Sequence, residues 1–487
     1  MISKRHILLF AALFSFLLTH SAFSQEPHPD SIMYGGFWKR QGTQNVMPAW
    51  SNNAVDSVDG RFYAFLDRKW NHYQGTEKYP GMMARHLFSF STAYMLSGKQ
   101  SFLNKANELF KDLKNHGWDT KYDGWFYSID RKGNYEDPKK DLFMNIYAIA
   151  GLTMYYSVTH NRKALDLIKR SRAVIKKFGR DPEDGSFYRR LDQSWHLTDS
   201  TKVFTPQMAQ VSGYLLYLFD ATKDSTYLNE SKKLVSLTLD HLQDPATGWI
   251  REGYGPAWRA KTSSAKQQQI NIGHNIETAW MLMHLYAITG NHEYRTKALD
   301  LAHQLFQKAF LSSGAWKHKM QIDDSSQFLK TTPWWVQAYG DMFCLYTYHL
   351  THNDKFLSYY KKSASFWNNA FVDSVYGGTM LSATLTGKID RGDKAVRTKT
   401  SYHALEHALL NYLYLNLWVS HQPVTLYFNS NSQSDSRPLC PLPISDQHAI
   451  IQSITVGGHV YKIKPKRADR CIDLPAGAQG KIKVTIQ

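Results

Sequence analysis

A glycine in a turn-like setting returns six times along the chain, at Gly60, Gly124, Gly185, Gly248, Gly314 and Gly377, every 61 to 66 residues. Most copies lead into aromatic residues, as in DGRFY, DGWFY and DGSFY, and several carry an upstream acid (Asp119, Asp181, Asp244, Asp373). Each interval holds two segments with apolar residues at helical spacing, such as Leu103, Ala106, Leu109, Phe110 and Leu113, then Ile146, Ala150, Leu152 and Tyr155. The short aromatic run after each glycine, for example Trp125 to Ile129, reads as a small hairpin. One helix–turn–helix unit cannot bury its own apolar faces, and six bury most if they close on themselves. The expected fold is therefore an all-α (α/α)6 barrel of six helix-hairpin repeats over residues 25–421, with an open superhelix as the alternative that spacing allows. Inner helices are expected to begin near Tyr79, Leu142, Thr205, Asn275, Thr332 and Ser401, bringing their unpaired N–H groups to one mouth.

The two ends of the chain follow other rules. Lys4, Arg5 and His6 precede an apolar run from Ile7 to Leu18, and Ala22-Phe23-Ser24 offers a cleavage site, so residues 1–24 read as a signal peptide. No stretch reaches the roughly 18 uninterrupted apolar residues of a membrane span, which predicts an exported protein, periplasmic or secreted. Beyond Gln422 the pattern turns to period two, in Val424–Phe428, Ile450–Val456, His459–Ile463 and Lys481–Ile486, with Gly457-Gly458 as a tight turn. Residues 422–487 are expected to form a small all-β, sandwich-like module, a structural cap in preference to a glycan platform because it lacks an aromatic cluster. Export permits a disulfide between Cys440 and Cys471, whereas Cys344 sits in an apolar helical run and reads as core.

Charge and motifs narrow the partners. The chain has 58 Lys and Arg against 41 Asp and Glu, a formal charge of +17, which keeps an anionic glycan among the substrates to consider. The basic runs Lys169–Arg172 and Lys464–Arg467 are short and read as solvated faces, so no nucleic-acid partner is expected. Phosphate loops, dinucleotide fingerprints and serine-nucleophile motifs are absent from the sequence, and no cofactor is expected. His403-Ala-Leu-Glu-His407 fits the H-x-x-E-H pattern of inverted zinc peptidases, but no glutamate follows Glu406 to complete such a site, so no metal is expected.

The starts of the inner helices carry Arg85 in RHLFSFSTAY, Phe143 in DLFMNIY, Gln207 in FTPQMAQ, His274 and Glu277 in GHNIETAW, Trp334-Trp335 in PWWVQAY, and His403 in SYHALEH. From residues 35 to 420 the chain resembles the N-acylglucosamine 2-epimerase superfamily, cellobiose 2-epimerases in particular. GHNIETAW is similar to that family's GHDIEASW, PWWVQAY to its WWxQAE, SYH to its PYH, and RHLFSFSTAY to its first arginine-bearing helix. The resemblance implies inversion at carbon 2 of a reducing-end sugar or oligosaccharide through an enediolate, with His274 and His403 as the acid/base pair. An imidazole of ordinary pKa near 6.5 suits both halves of that proton transfer. It further implies that Arg85 stabilises the enediolate oxygen, that Glu277 orients an imidazole or a hydroxyl, and that Trp335 offers a stacking face. Phe143, Gln207, Tyr339 and His407 complete the substrate contacts it suggests.

The resemblance also has gaps. The family's NTHLH falls on Thr205, Pro206, Gln207, Met208 and Ala209, its second-helix tyrosine on Phe143, its WWxQAE glutamate on Tyr339, and a tryptophan near Thr398. Two other readings therefore stand beside the epimerase: a lyase or glycosidase acting on an acidic glycan with the same mouth, and a glycan-binding protein without catalysis. A monomer or homodimer is expected.

Overall fold

The computed structural model describes residues 31–258, 268–430, 437–461, 470–474 and 477–487. The expected signal peptide at 1–24 and the basic run at 464–467 lie outside these residues. Five inner helices are Pro80–Ser97, Leu142–Thr159, the segment 204–222 with a π-helical turn at Val211–Leu215, Ile272–Thr289 and Trp334–Thr351; the sixth, 402–420, ends in a π-helical turn at Leu415–Ser420. They are buried nearly all round; every residue from Pro80 to Leu96 is buried, for instance. Outer helices are amphipathic instead, and Arg162–Phe178 buries only Ala164, Ile168, Ser171, Val174 and Ile175, one stripe at helical spacing. Each inner helix lies against the next and the sixth returns to the first, while the N-terminal helical segment 35–53 packs on the sixth. A bridge between Leu66 and Ala395 joins the loops of the first and last repeats.

The repeated glycines set the local geometry. All six have φ between 71° and 89°, the left-handed region that glycine enters without a Cβ penalty. Each turn lets the following residues bridge back to the end of the outer helix, as in Trp118–Trp125, Arg180–Phe187 and Gln243–Ile250. Among the described residues, hairpins of paired strands follow in three repeats, Ser128–Ile129 with Tyr135–Asp137, Arg190–Leu191 with Leu197–Asp199, and Ser382–Thr384 with Ile389–Arg391. The carbonyl four residues after the glycine then accepts the first N–H of the preceding inner helix: Arg189 from Leu142, Glu252 from Phe204, His318 from Ile272 and Leu381 from Trp334. These carbonyls satisfy helix N–H groups that would otherwise be unpaired. They also bring the side chains of that strand position to the mouth.

Two helix starts differ from expectation. The fourth begins at Ile272, three residues earlier than Asn275, because the Asn271 side chain accepts from Gly273 N–H and caps it there. The fifth begins at Trp334, because Thr331–Pro333 is first used as a strand against Ser382–Thr384.

Buried ion pairs recur with the repeat. Asp56, Asp119, Asp181 and Asp373 accept from Lys78, Lys140, Lys202 and Lys394, each lysine 21 or 22 residues downstream and at most 1% exposed. Burial alone would raise these carboxyls, but the ammonium partners, the guanidinium groups of Arg68 at Asp373 and Arg131 at Asp56, and nearby backbone N–H groups outweigh it and hold them low, Asp56 at about 2 against an ordinary 3.8. Groups depressed in the folded state stabilise it above the unfolded pKa, and that contribution is lost as pH falls through the folded pKa. The urea midpoint is expected to drop steeply between about pH 4 and pH 2, and D373N to lower it at neutral pH while flattening that slope. A midpoint independent of pH in this window contradicts the assignment.

The C-terminal strands form an antiparallel four-stranded sheet in the order Val424–Ser430, Gly480–Ile486, Ile451–Val456, His459–Val460. Val424, Leu426 and Phe428 alternate inward, and Phe428 O accepts from Tyr94 OH near the end of the first inner helix. The sheet therefore sits at the opposite end of the helices from their N-terminal turns. Beside it, Arg437–Leu439 pairs with Ile472–Leu474, and Cys440 is disulfide-bonded to Cys471. Cys344 is free and buried. Among the described residues no helix is long and apolar enough to cross a membrane.

Candidate active site

The first turns of the inner helices converge on a cavity of about 260 Å³. Arg85, Phe143, His274, Glu277, Trp335, Tyr339 and His403 all line it, together with Tyr147, Thr205, Asn271, Trp334 and Thr398. Phe143, Thr205 and Thr398 also line an outer chamber of about 380 Å³, which continues the cavity outward.

The two histidines stand in opposite electrostatic settings. His274 Nδ1 lies 2.6 Å from Glu252 Oε1, and its ring stacks on Phe204 at 4.3 Å. Burial disfavours the imidazolium, but attraction and hydrogen bonding to Glu252, with Glu277 adding to them, overcome that cost and hold His274 above its ordinary 6.5. His403 is buried without such a partner. Its Nδ1 makes no hydrogen bond among the described residues and lies 3.7 Å from Glu406 Oε2. Burial, reinforced by the Arg85 guanidinium, pushes His403 well below 6.5. At neutral pH the site thus holds one imidazole biased toward the charged form and one held neutral. Trp335 stands between them, with ring centroids 5.4 Å from His274 and 6.2 Å from His403. Gly273 makes this approach possible, since a Cβ there would lie 2.3 Å from the Trp335 ring.

Arg85 is fixed over the cavity by stacking 3.6 Å from the Tyr147 ring centroid and by donating from Nη1 to Thr398 O at 2.9 Å. Its Nε is buried without a partner among the described residues. Beneath, Glu277 accepts from Ser212 Oγ, and Glu406 accepts from the Tyr217 hydroxyl at 2.9 Å and the Tyr402 hydroxyl at 3.3 Å. Burial raises both carboxyls, Glu406 to about 7 despite the tyrosine donors.

Two residues expected to touch substrate are placed elsewhere. Gln207 is fully buried; its Oε1 accepts from Phe187 N–H and its Nε2 donates to Phe187 O, both at 2.8 Å. Asn145, Asn275 and Gln337 hold Trp125, Ile250 and Trp316 through the same side-chain-to-backbone contact, so this amide is part of the repeat. Gln207→Ala leaves those backbone groups unpaired and is expected to cost about 1–3 kcal/mol in urea unfolding. An unchanged midpoint would remove it from the scaffold. His407 is also fully buried; its Nε2 lies 2.9 Å from Asp341 Oδ2 and its ring packs against Trp38 and Trp367 of the outer layer. The H-x-x-E-H pattern is thereby split between the cavity and the wall. Among the described residues no three His, Cys, Asp or Glu side chains gather as a metal would require.

Glu252, the partner of His274, was not singled out from the sequence. It occupies the strand position four residues after the repeat glycine, where the other copies carry Ala64, Ser128, Arg189, His318 and Leu381. An acid at that one copy is the signal that aligning the repeats would have exposed.

The N-acylglucosamine 2-epimerase family model matches residues 60–407. The chain belongs to that family. It is an enzyme of the sugar epimerase and isomerase type. A cellobiose 2-epimerase of Ruminococcus albus is 24% identical over 360 residues, covering 71% of this chain and 89% of that protein. The structure of a cellobiose 2-epimerase from Bacillus thermoamylovorans superposes with a TM-score of 0.71 at 21% identity, covering 78% of this chain and 98% of the other. A D-mannose isomerase structure gives 0.72 at 17% identity, covering 80% and 99%. At these identities the superpositions establish a shared fold.

Proposed function

We propose that the helical ring is an (α/α)6 barrel whose mouth epimerises, or isomerises, a reducing-end sugar or oligosaccharide at carbon 2. The observation that carries this reading is the pair of oppositely tuned histidines on one cavity. In the open-chain sugar, neutral His403 takes the proton from carbon 2 and becomes an imidazolium. The electron pair moves onto the carbonyl oxygen, giving an enediolate that the Arg85 guanidinium stabilises as charge develops. His274, held protonated by Glu252, returns a proton to the opposite face of carbon 2 to give the epimer, or to carbon 1 while the carbon-2 hydroxyl proton passes to the carbon-1 oxygen to give the ketose. Glu277 holds a substrate hydroxyl, and Trp335 supplies the face on which the sugar lies. The names of the relatives, cellobiose 2-epimerase and D-mannose isomerase, accord with either outcome.

The protein acts, in this reading, outside the cytoplasm. The expected leader at 1–24 and the Cys440–Cys471 disulfide, a bond that persists in oxidising compartments, both support export.

Incubation with neutral reducing mono- and disaccharides, followed by NMR of the products, tests the reaction. A carbon-2 epimer or ketose of unchanged chain length is expected. Shortened chains or an unsaturated uronate would point to hydrolase or lyase chemistry, and binding without turnover to a sugar-binding protein.

A further inference from the structure

Outward of the histidines, the 380 Å³ chamber is lined by Arg189, Arg190 and Arg397 against two acids, Asp141 and Glu252. Both acids are engaged. Asp141 accepts from Arg190 Nε at 3.2 Å and caps the second inner helix through Met144 N–H, while Glu252 holds His274. Arg189 reaches only sideways, with Asp199 at 3.6 Å. Arg397 is exposed and makes no ion pair or hydrogen bond among the described residues.

The loop that bears Arg397 is firmly held. Val396 bridges Lys399, the buried Lys399 ammonium donates to Thr379 O at 2.9 Å and Lys394 O at 2.7 Å, and the neighbouring Thr398 carbonyl receives Arg85. A solvent-exposed guanidinium without an ion-pair partner among the described residues is thus presented on a fixed backbone, one residue from the Thr398 carbonyl that holds Arg85. Tyr127 and Phe143 give the same chamber aromatic faces. The inner cavity of about 260 Å³ is small, whereas the two spaces together fall within the roughly 300–1,000 Å³ of small-molecule sites.

We infer that the outer chamber is a subsite for an anionic sugar unit, one bearing a carboxylate or sulfate, linked to the reducing-end sugar in the inner cavity, with Arg397 as its principal ligand. A planar guanidinium pairs two N–H donors with such an oxyanion, and the hydrogen bonds are charge-assisted. The inference rests on the inner cavity being the reducing-end site, and it narrows the substrate to acidic oligosaccharides such as aldobiouronic acids.

Calorimetric titration at low salt with cellobiose, with the 4-linked glucuronosyl-glucose of the same linkage, and with a 6'-sulfated cellobiose separates the sources of charge. The acidic disaccharides are expected to bind about tenfold more tightly than cellobiose. Arg397→Gln is expected to abolish that preference and Arg397→Lys to keep part of it, with thermal unfolding reporting that each variant is folded. A preference for the uronate alone or the sulfate alone identifies which oxyanion the subsite takes. Equal affinity for acidic and neutral sugars, no binding of either, or a preference that survives in Arg397→Gln overturns the subsite. Exchange at carbon 2 of the wild-type protein's neutral sugars reports on the reaction separately. Exchange without acid preference removes only the subsite, and acid preference without exchange on any sugar removes only the proposed reaction.

Discussion

His403→Ala is expected to lower kcat for interconversion at carbon 2 by about 10²–10⁴, the span that general acid–base groups contribute. The expectation follows from placement: His403 faces the cavity and stays neutral because burial and Arg85 both oppose its charge. A buried ring also fills space against Trp334 and Tyr339, at centroid distances of 5.8 and 5.3 Å. Alanine alone would confound catalysis with packing. His403→Gln keeps most of the volume while removing the base, so it should lose a similar factor with little change in thermal stability. Near-wild-type turnover in a folded His403→Gln protein would take the proton abstraction away from this residue.

Glu252→Gln is expected to act through His274. In the wild type the carboxylate holds the His274 imidazolium above its ordinary 6.5, so the acid form persists to higher pH and activity falls only as pH rises through the raised His274 pKa. Without the charge, burial is left to push His274 downward. The alkaline limb of the kcat profile should move to lower pH, and kcat above neutrality should fall by about 10- to 100-fold. The acidic limb, set by His403 and lying below 6.5, should stay where it is. A uniform loss with unshifted limbs would make Glu252 structural only.

Much of this architecture was legible in the chain because it is periodic. Six glycines at even spacing mark six turns, and all six take the positive φ that such turns require. Unique residues at the starts of the inner helices, such as His274 and His403, do converge on one cavity. The same periodicity explains the errors. Gln207 resembles a site residue when its helix is read alone, yet Asn145, Asn275 and Gln337 make the corresponding contact in other repeats. A side-chain contact that recurs in four of the six repeats serves the fold. Glu252 is the converse case, an odd residue at a repeated strand position, outside the helix starts that periodicity marks. His407 lies one helical turn beyond His403, and only the outer-layer Trp38 and Trp367 against its ring reveal that it belongs to the wall. Such contacts between distant segments leave no local mark in the sequence.

Proton exchange in heavy water tests the two-histidine reading most directly. With wild-type protein and a neutral reducing disaccharide, NMR should show deuterium entering at carbon 2 of both epimers at unchanged chain length. His403→Gln and His274→Gln should each suppress that exchange by about 10²-fold or more. Turnover without solvent deuterium at carbon 2 or carbon 1, or exchange that survives in both folded variants, would contradict it.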